Sequence, residues 1–119
     1  MPSSTAVVGA ATAAYSAALV LAPGVLIGPA GLADSRDTRT LVRSLGVRDT
    51  ALGLALAVAP AGRARWLFVA ARVLADCGDA AAFGTGLAGR PTRVPVAAGA
   101  AAWGLLTLLA GVRDERAGR

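Results

Sequence analysis

Apolar residues occupy four long runs of the chain, and short polar segments separate these runs. The runs predict helices over residues 5–27, 41–59, 66–87 and 94–112, each near the roughly 20 residues that cross a hydrocarbon core of about 30 Å. Pro23 and Gly24 are expected to kink or end the first helix. No segment alternates apolar and polar residues with a period of two. The pattern predicts an all-α fold in which residues 1–119 form one domain, a transmembrane antiparallel four-helix bundle.

Composition favours lipid as the surrounding solvent. Hydrophobic residues make up 55% of the chain and charged residues 16%, against about 25% charged residues in soluble domains, and the mean hydropathy is +0.61. A soluble helical bundle is the alternative, but no predicted helix has the solvated polar face that a small soluble bundle requires. A cleavable signal peptide is the alternative for the first run, although MPSST has no basic n-region.

The basic residues support the same environment. All 12 are arginine, which together with the abundant Ala and Gly indicates a GC-rich genome, and most of them flank the apolar runs as they do in bilayer proteins. We therefore predict an integral protein of a bacterial plasma membrane, with the lipid bilayer as its partner and a homo-oligomer left open. Aromatic residues are only 4%, which leaves little for base stacking, so no nucleic-acid partner is expected.

Six charged residues interrupt the second and third predicted helices: Arg43, Arg48, Asp49, Arg72, Asp76 and Asp79. Each charge costs about 2.5–3.5 kcal/mol at the centre of a transmembrane helix, so these side chains should face inward and pair. Distance along the chain from a turn at Gly62 predicts which residues share a depth. The predicted pairs are Arg48 with Asp76, Arg43 with Asp79, and Asp49 with Arg72. Three positive charges would then balance three negative ones.

These charges also supply the candidate site, because ionisable residues inside a membrane often mark substrate or ion pathways. The candidate catalytic residues are Asp76, Asp79, Arg72, Arg48 and Asp49, and the candidate substrate-binding residues are Tyr15, Arg43 and Trp103. Histidine is absent and Cys77 is the single cysteine. We therefore expect no metal site and no histidine-assisted nucleophile, and the missing glycine-rich phosphate loop means that no cofactor is expected either.

The predicted function is the binding or transformation of a lipophilic small molecule by acid–base chemistry of the isomerase or cyclase type. Asp76 or Asp79 would act as the general acid or base, while Arg72 and Arg48 would stabilise developing negative charge. Two alternatives stay open. The chain is a structural or accessory membrane protein if its ion pairs only fix helix packing, or a proton or ion conductor if water reaches them from both faces.

Two segments carry a family resemblance. RSLGVRDTALG in the second helix and ARVLADCGDA in the third resemble a family of small four-helix integral membrane proteins of unknown function, common in actinobacteria. The specific part is the adjacent pair Arg48 and Asp49, together with the Arg-x-x-x-Asp-x-x-Asp run that begins at Arg72. The resemblance covers most of the chain and implies a polytopic membrane protein, but it carries no activity.

Overall fold

Five helices make up the chain in the computed structural model, which describes residues 1–119. The helices are α1 (Ser4–Leu21), α2 (Gly24–Ala30), α3 (Arg36–Val58), α4 (Arg63–Gly86) and α5 (Arg93–Ala117). The chain is 82% helical and contains no strand. The prediction of an all-α fold is confirmed.

The first predicted helix, 5–27, is interrupted at Pro23 and Gly24, as expected from these two residues, so its predicted extent is wrong while the predicted break is confirmed. α1 ends at Leu21, and Pro23, which has no backbone N–H, precedes the first residue of the short helix α2. α2 ends at Ala30 and is capped by Gly31, whose φ of 68° lies in the left-handed region that glycine adopts without strain. The apolar run therefore forms two helices joined by a turn.

α3 and α4 begin in polar sequence before their predicted starts at residues 41 and 66, and α5 continues past its predicted end at residue 112. The Ser35 hydroxyl accepts a hydrogen bond from the backbone N–H of Thr38 at 3.1 Å and caps α3. Gly62, with a φ of 99°, makes the turn that leads into α4 at Arg63. α5 continues through its charged end to Ala117. Hydropathy locates only the apolar part of a helix, whereas capping and backbone conformation set its ends.

α1 and α3 pack together through small residues and run in opposite directions. A Cβ atom added at Gly9 would lie 2.6 Å from the backbone nitrogen of Ala57, and one added at Gly53 would lie 2.6 Å from that of Ala13. The two backbones are therefore in direct contact. Small residues allow this close approach wherever helices pack without bulky side chains between them.

α4 and α5 form the second pair, with larger side chains between them. Gly111 of α5 lies against the indole ring of Trp66, and Gly104 lies against Asp76. The Trp66 indole N–H donates to Glu115 Oε2 at 3.2 Å. These contacts place the start of α4 beside the end of α5, so the two helices of this pair also run in opposite directions.

Asp114 joins the two pairs at one end of the molecule. Its carboxylate accepts hydrogen bonds from the backbone N–H groups of Ser4 and Thr5, both at 2.8 Å, and from the Thr5 hydroxyl at 2.7 Å. A carboxylate in this position satisfies the free N–H groups of the first turn of α1 and complements its helix dipole. The end of α5 is thereby fixed to the beginning of α1.

Two of the four long helices, Ser4–Leu21 and Arg93–Ala117, are long and apolar enough to cross a membrane. A core helix of a soluble protein or an N-terminal signal sequence meets the same criterion. α3 and α4 carry the six internal charges and do not meet it, because each charge lowers the mean hydropathy of its helix.

Candidate functional site

Arg72 and Asp76 form the most deeply buried ion pair of the structure. They lie one turn apart on α4, and their residues are only 2% and 4% exposed. Arg72 Nε donates to Asp76 Oδ2 at 3.0 Å, and Arg72 Nη2 donates to Asp76 Oδ1. Arg72 Nη1 lies 2.9 Å from Asp49 Oδ1 of α3, but the contact lacks hydrogen-bond alignment and this nitrogen has no hydrogen-bond partner.

Arg48 on α3 extends the ion pairs to a third carboxylate. Its Nε donates to Asp49 Oδ1 at 2.7 Å, and its Nη2 donates to Asp79 Oδ2 of α4 at 2.8 Å. The charges therefore alternate in one continuous chain. We call the five residues of this chain, Asp79, Arg48, Asp49, Arg72 and Asp76, the charge cluster.

One of the three predicted pairs is confirmed and two are wrong. Asp49 does pair with Arg72. Asp76 does not pair with Arg48, because both of its oxygens are occupied by Arg72, one helical turn away. Arg48 instead takes Asp79, the carboxylate that had been predicted to pair with Arg43.

Arg43 lies outside the charge cluster because it points in another direction. Arg43 is five positions before Arg48, and at about 100° per residue the side chain of Arg43 points about 140° away from that of Arg48 around α3. Arg43 Nε donates to the carbonyl oxygen of Val20 at 3.1 Å, near the end of α1. Depth along the helix was the only basis of the prediction, and it carries no information on direction.

Because Arg43 lies outside the charge cluster, the net charge of the cluster differs from the predicted one. With all groups ionised, two arginines face three aspartates, so the charge cluster carries one excess negative charge. The predicted balance of three positive and three negative charges does not hold.

A cavity of about 540 Å³ adjoins the charge cluster, and all five helices contribute to its walls. Four members of the cluster line it: Asp49, Arg72, Asp76 and Asp79. Half of the 18 lining residues are hydrophobic. We call this space the central cavity. It combines one charged wall with an apolar interior, as small-molecule sites commonly do.

Two of the three predicted substrate-binding residues, Tyr15 and Trp103, line the central cavity. The Trp103 indole N–H donates to Thr12 Oγ1 at 2.9 Å, and the Thr12 hydroxyl donates to the carbonyl of Val8 at 2.8 Å. These bonds fix the indole ring against α1. Arg43, the third predicted residue, lies elsewhere. Arg48 is the one member of the charge cluster that does not line the cavity.

Arg43 instead borders a polar surface depression of about 490 Å³ at the start of α3, which holds no member of the charge cluster. There Arg39 donates from Nε and Nη2 to the two carboxylate oxygens of Asp34, at 2.7 and 2.9 Å. These hydrogen bonds hold the pKa of Asp34 below its ordinary value. The depression is exposed, and no hydrophobic residue lines it.

Sequence reasoning missed the contribution of α2 to the cavity. Leu26, Pro29 and Ala30 line it, while Ile27 of the same helix packs into a small core with Leu19. The break at Pro23 was a usable signal, because apolar residues beyond a helix break still have to be covered. Phe83 of α4 is a further lining residue that was not predicted.

The structure contains no group of three or more His, Cys, Asp or Glu residues arranged to hold a metal ion. The three aspartates of the cluster direct oxygens at arginines, which alternate with them along the chain of ion pairs. The chemistry available to these residues is therefore proton transfer and charge stabilisation.

No family model, no curated protein and no solved structure matches the chain. The resemblance to the actinobacterial four-helix family therefore stays a prediction. The charge cluster and the central cavity are the features from which a function can be inferred.

Proposed function

We propose that the chain is an integral protein of a bacterial plasma membrane in which α1, α3, α4 and α5 form an antiparallel transmembrane bundle. Two of these helices are apolar enough to span the bilayer, and all four expose large apolar side chains. Val7, Leu54, Leu74 and Leu105, one on each helix, are at least 55% exposed. Water would disfavour so much apolar surface, whereas lipid would cover it.

The charges of α3 and α4 are compatible with this environment because they are directed at one another. Arg72 and Asp76 are buried, and the remaining members of the cluster pair across the two helices. Ion pairing inside the protein is the arrangement that membrane proteins use for ionisable residues. It lowers the cost of inserting two helices whose hydropathy alone would not support insertion.

Within this bundle, we propose that the central cavity binds a lipophilic small molecule. The observation that carries the proposal is the cavity itself, in which charged and apolar walls face a shared space of about 540 Å³. This volume falls within the range of small-molecule sites, about 300–1,000 Å³. An apolar molecule with one polar end fits such walls.

The charge cluster would act on that molecule by acid–base chemistry of the isomerase or cyclase type. Asp79 is the better general acid or base, because its Oδ1 accepts no hydrogen bond while both oxygens of Asp76 are held by Arg72. Arg72, which lines the cavity and is held in place by Asp76, would stabilise negative charge that develops on the substrate.

A structural role is the second candidate, and it is favoured by the way the ion pairs connect α3 to α4. Arg48 bonds to carboxylates of both helices, and Arg72 also contacts both. Removing one partner from a buried ion pair leaves the other charge uncompensated, so such a network can fix helix packing without any ligand.

Ligand identification separates the two candidates. The protein is purified in mild detergent, and the compounds that remain bound are extracted and analysed by mass spectrometry. Gly99→Leu is the informative variant, because Gly99 lines the cavity and an added Cβ there meets no atom within 4 Å. Gly78→Leu is the matched control, since Gly78 is an exposed helical glycine with equally open space that does not line the cavity.

We expect a specific lipophilic compound in the wild type and in Gly78→Leu, and its loss from Gly99→Leu. A compound that all three proteins retain equally is a surface lipid and argues against the cavity as its site. If no compound is bound in any of them, the structural role is favoured.

A further inference from the structure

The excess negative charge of the charge cluster constrains what the central cavity binds. Arg48 and Arg72 are shared among three aspartates. Arg43, the only other internal arginine of α3 and α4 that could have balanced them, donates to the Val20 carbonyl instead. In a low-dielectric interior, an uncompensated charge costs several kcal/mol, so the site favours an occupant that neutralises it.

The excess charge is accessible to a ligand at Asp79. Asp79 stands at one end of the chain of ion pairs, receives a single hydrogen bond from Arg48 at Oδ2, and lines the cavity. Its Oδ1 accepts nothing from the protein. By contrast, Asp76 is held at both oxygens by Arg72. Asp79 is therefore the carboxylate with unused capacity to accept a donor from the cavity.

The aromatic residues that line the cavity also favour a positively charged ligand. Tyr15, Phe83 and Trp103 line the cavity from three different helices. Aromatic ring faces attract cations, most strongly where water is excluded. Arg72 is the only cationic side chain in the lining, and it already contacts Asp49 and Asp76.

We propose that the ligand of the central cavity is a lipophilic cation, such as a protonated amine carrying apolar groups, whose charge is held by Asp79 among the aromatic rings. This inference rests on the proposed function, because it names the chemical class of the ligand that the cavity binds.

Three tetraphenyl probes of similar size and different charge test the proposal: tetraphenylphosphonium, a cation; tetraphenylsilane, which is neutral; and tetraphenylborate, an anion. Binding is followed by the fluorescence of Trp103 in the Trp66→Phe protein, because the chain has only two tryptophans. Partition of each probe into protein-free detergent micelles is subtracted. We expect the cation to bind at least tenfold more tightly than the neutral probe, and the anion to bind most weakly.

Two variants assign the preference to Asp79. Asp79→Asn should reduce the affinity for tetraphenylphosphonium at least tenfold, while Asp79→Glu, which keeps the charge, should retain it. Asp37→Asn removes the same charge from an exposed residue outside the cavity and should change nothing. Full retention of cation binding in Asp79→Asn would overturn the proposal.

Comparing the three probes on the wild-type cavity also separates this inference from the proposed function. If the neutral or anionic probe binds as tightly as the cation, the cavity remains a ligand site and the cation proposal is wrong. That is also the result expected if a bound proton neutralises the cluster. If none of the three probes changes the Trp103 emission, both the cation proposal and the proposed function fall.

Discussion

The two aspartates of α4 differ in what each one neutralises. Asp76 holds Arg72 by two bonds deep inside the protein, whereas the side chain of Asp79 is 20% exposed and holds Arg48, whose side chain is 39% exposed. Asp76→Asn should therefore destabilise the protein by about 3–5 kcal/mol, because Arg72 loses two buried hydrogen bonds and keeps only its contact with Asp49. Asp79→Asn should cost about 1 kcal/mol or less, because the loss of one hydrogen bond to Arg48 is offset by removal of the excess negative charge of the cluster.

Unfolding of the two variants in detergent, followed by circular dichroism, measures this difference. Asp37→Asn serves as the control, because Asp37 is exposed and forms no ion pair. Equal losses of stability in Asp76→Asn and Asp79→Asn would contradict the assignment of Asp76 as the structural carboxylate and Asp79 as the one available to a ligand. The same division underlies the choice of Asp79 for acid–base chemistry.

For individual residues, the sequence predicted that six charged side chains meet, and five of them do; it could not predict how they pair. The cost of a charge in an apolar helix is large, so the meeting of Arg48, Asp49, Arg72, Asp76 and Asp79 follows from their positions within apolar runs, and the same argument failed for Arg43. The pairing depends on the helical phase of each side chain and on local reach, as in the bond from Arg72 to Asp76. Neither is specified by distance from a turn.

The contact between α1 and α3 leaves no room for a side chain. A Cβ at Gly53 would lie 2.6 Å from the backbone nitrogen of Ala13, so Gly53→Ala must push the helices apart. We expect a loss of about 1–3 kcal/mol, the usual cost of overpacking. Gly78→Ala is the control, because nothing lies within 4 Å of its added Cβ. It should be neutral or stabilising by up to about 1 kcal/mol through helix propensity.

Thermal unfolding of both variants in one detergent checks this prediction. If Gly53→Ala is as stable as Gly78→Ala, the two backbones are not in direct contact.

The carboxylate of Asp114 acts as a cap for α1 that comes from another helix. Asp114→Asn replaces one acceptor oxygen with an amide that cannot accept the bonds from Ser4 or Thr5. We expect a loss of about 1–2 kcal/mol, typical of a lost cap. Amide hydrogen exchange should become faster in the first turn of α1.

Glu115→Gln is the matched control for this exchange experiment, because Glu115 accepts from Trp66 and makes no hydrogen bond to α1. Unchanged exchange in Asp114→Asn would show that α1 does not depend on this cap.

The ends of the helices were also only partly predictable from the sequence. Pro23 has no backbone N–H, so the break after α1 was predictable from that residue alone. The position of α2 in the fold was not predictable, because it depends on the space left between the four long helices. That space is the central cavity, which Leu26, Pro29 and Ala30 help to enclose.

For the whole molecule, the class of fold follows from the alternation of long apolar runs and short polar turns. The sequence predicts the surrounding solvent less directly. α1 and α5 have the hydropathy of membrane spans, while α3 and α4 depend on ion pairing to bury their charges. The proposed membrane location therefore rests on the exterior of the folded molecule, where each long helix exposes large apolar side chains.

Cys77 provides a test of this exterior, because it is the single cysteine and is exposed near the middle of α4. In a bilayer its thiol would face lipid, which a charged maleimide does not enter. We expect no labelling of intact membranes by such a reagent, and labelling only after the protein is unfolded in detergent. A soluble protein with the same exposed cysteine would react rapidly.

The control for this experiment combines Cys77→Ala with Ala61→Cys, which moves the only thiol to an exposed residue in the turn between α3 and α4. This variant should be labelled readily in opened vesicles, because the turn lies in water at either face of the membrane. Rapid labelling of Cys77 in washed membranes, at the rate of the Ala61→Cys control, would place α4 in water. A bundle in water would need another covering for its apolar surface, and the proposal of a membrane-embedded cavity would then be wrong.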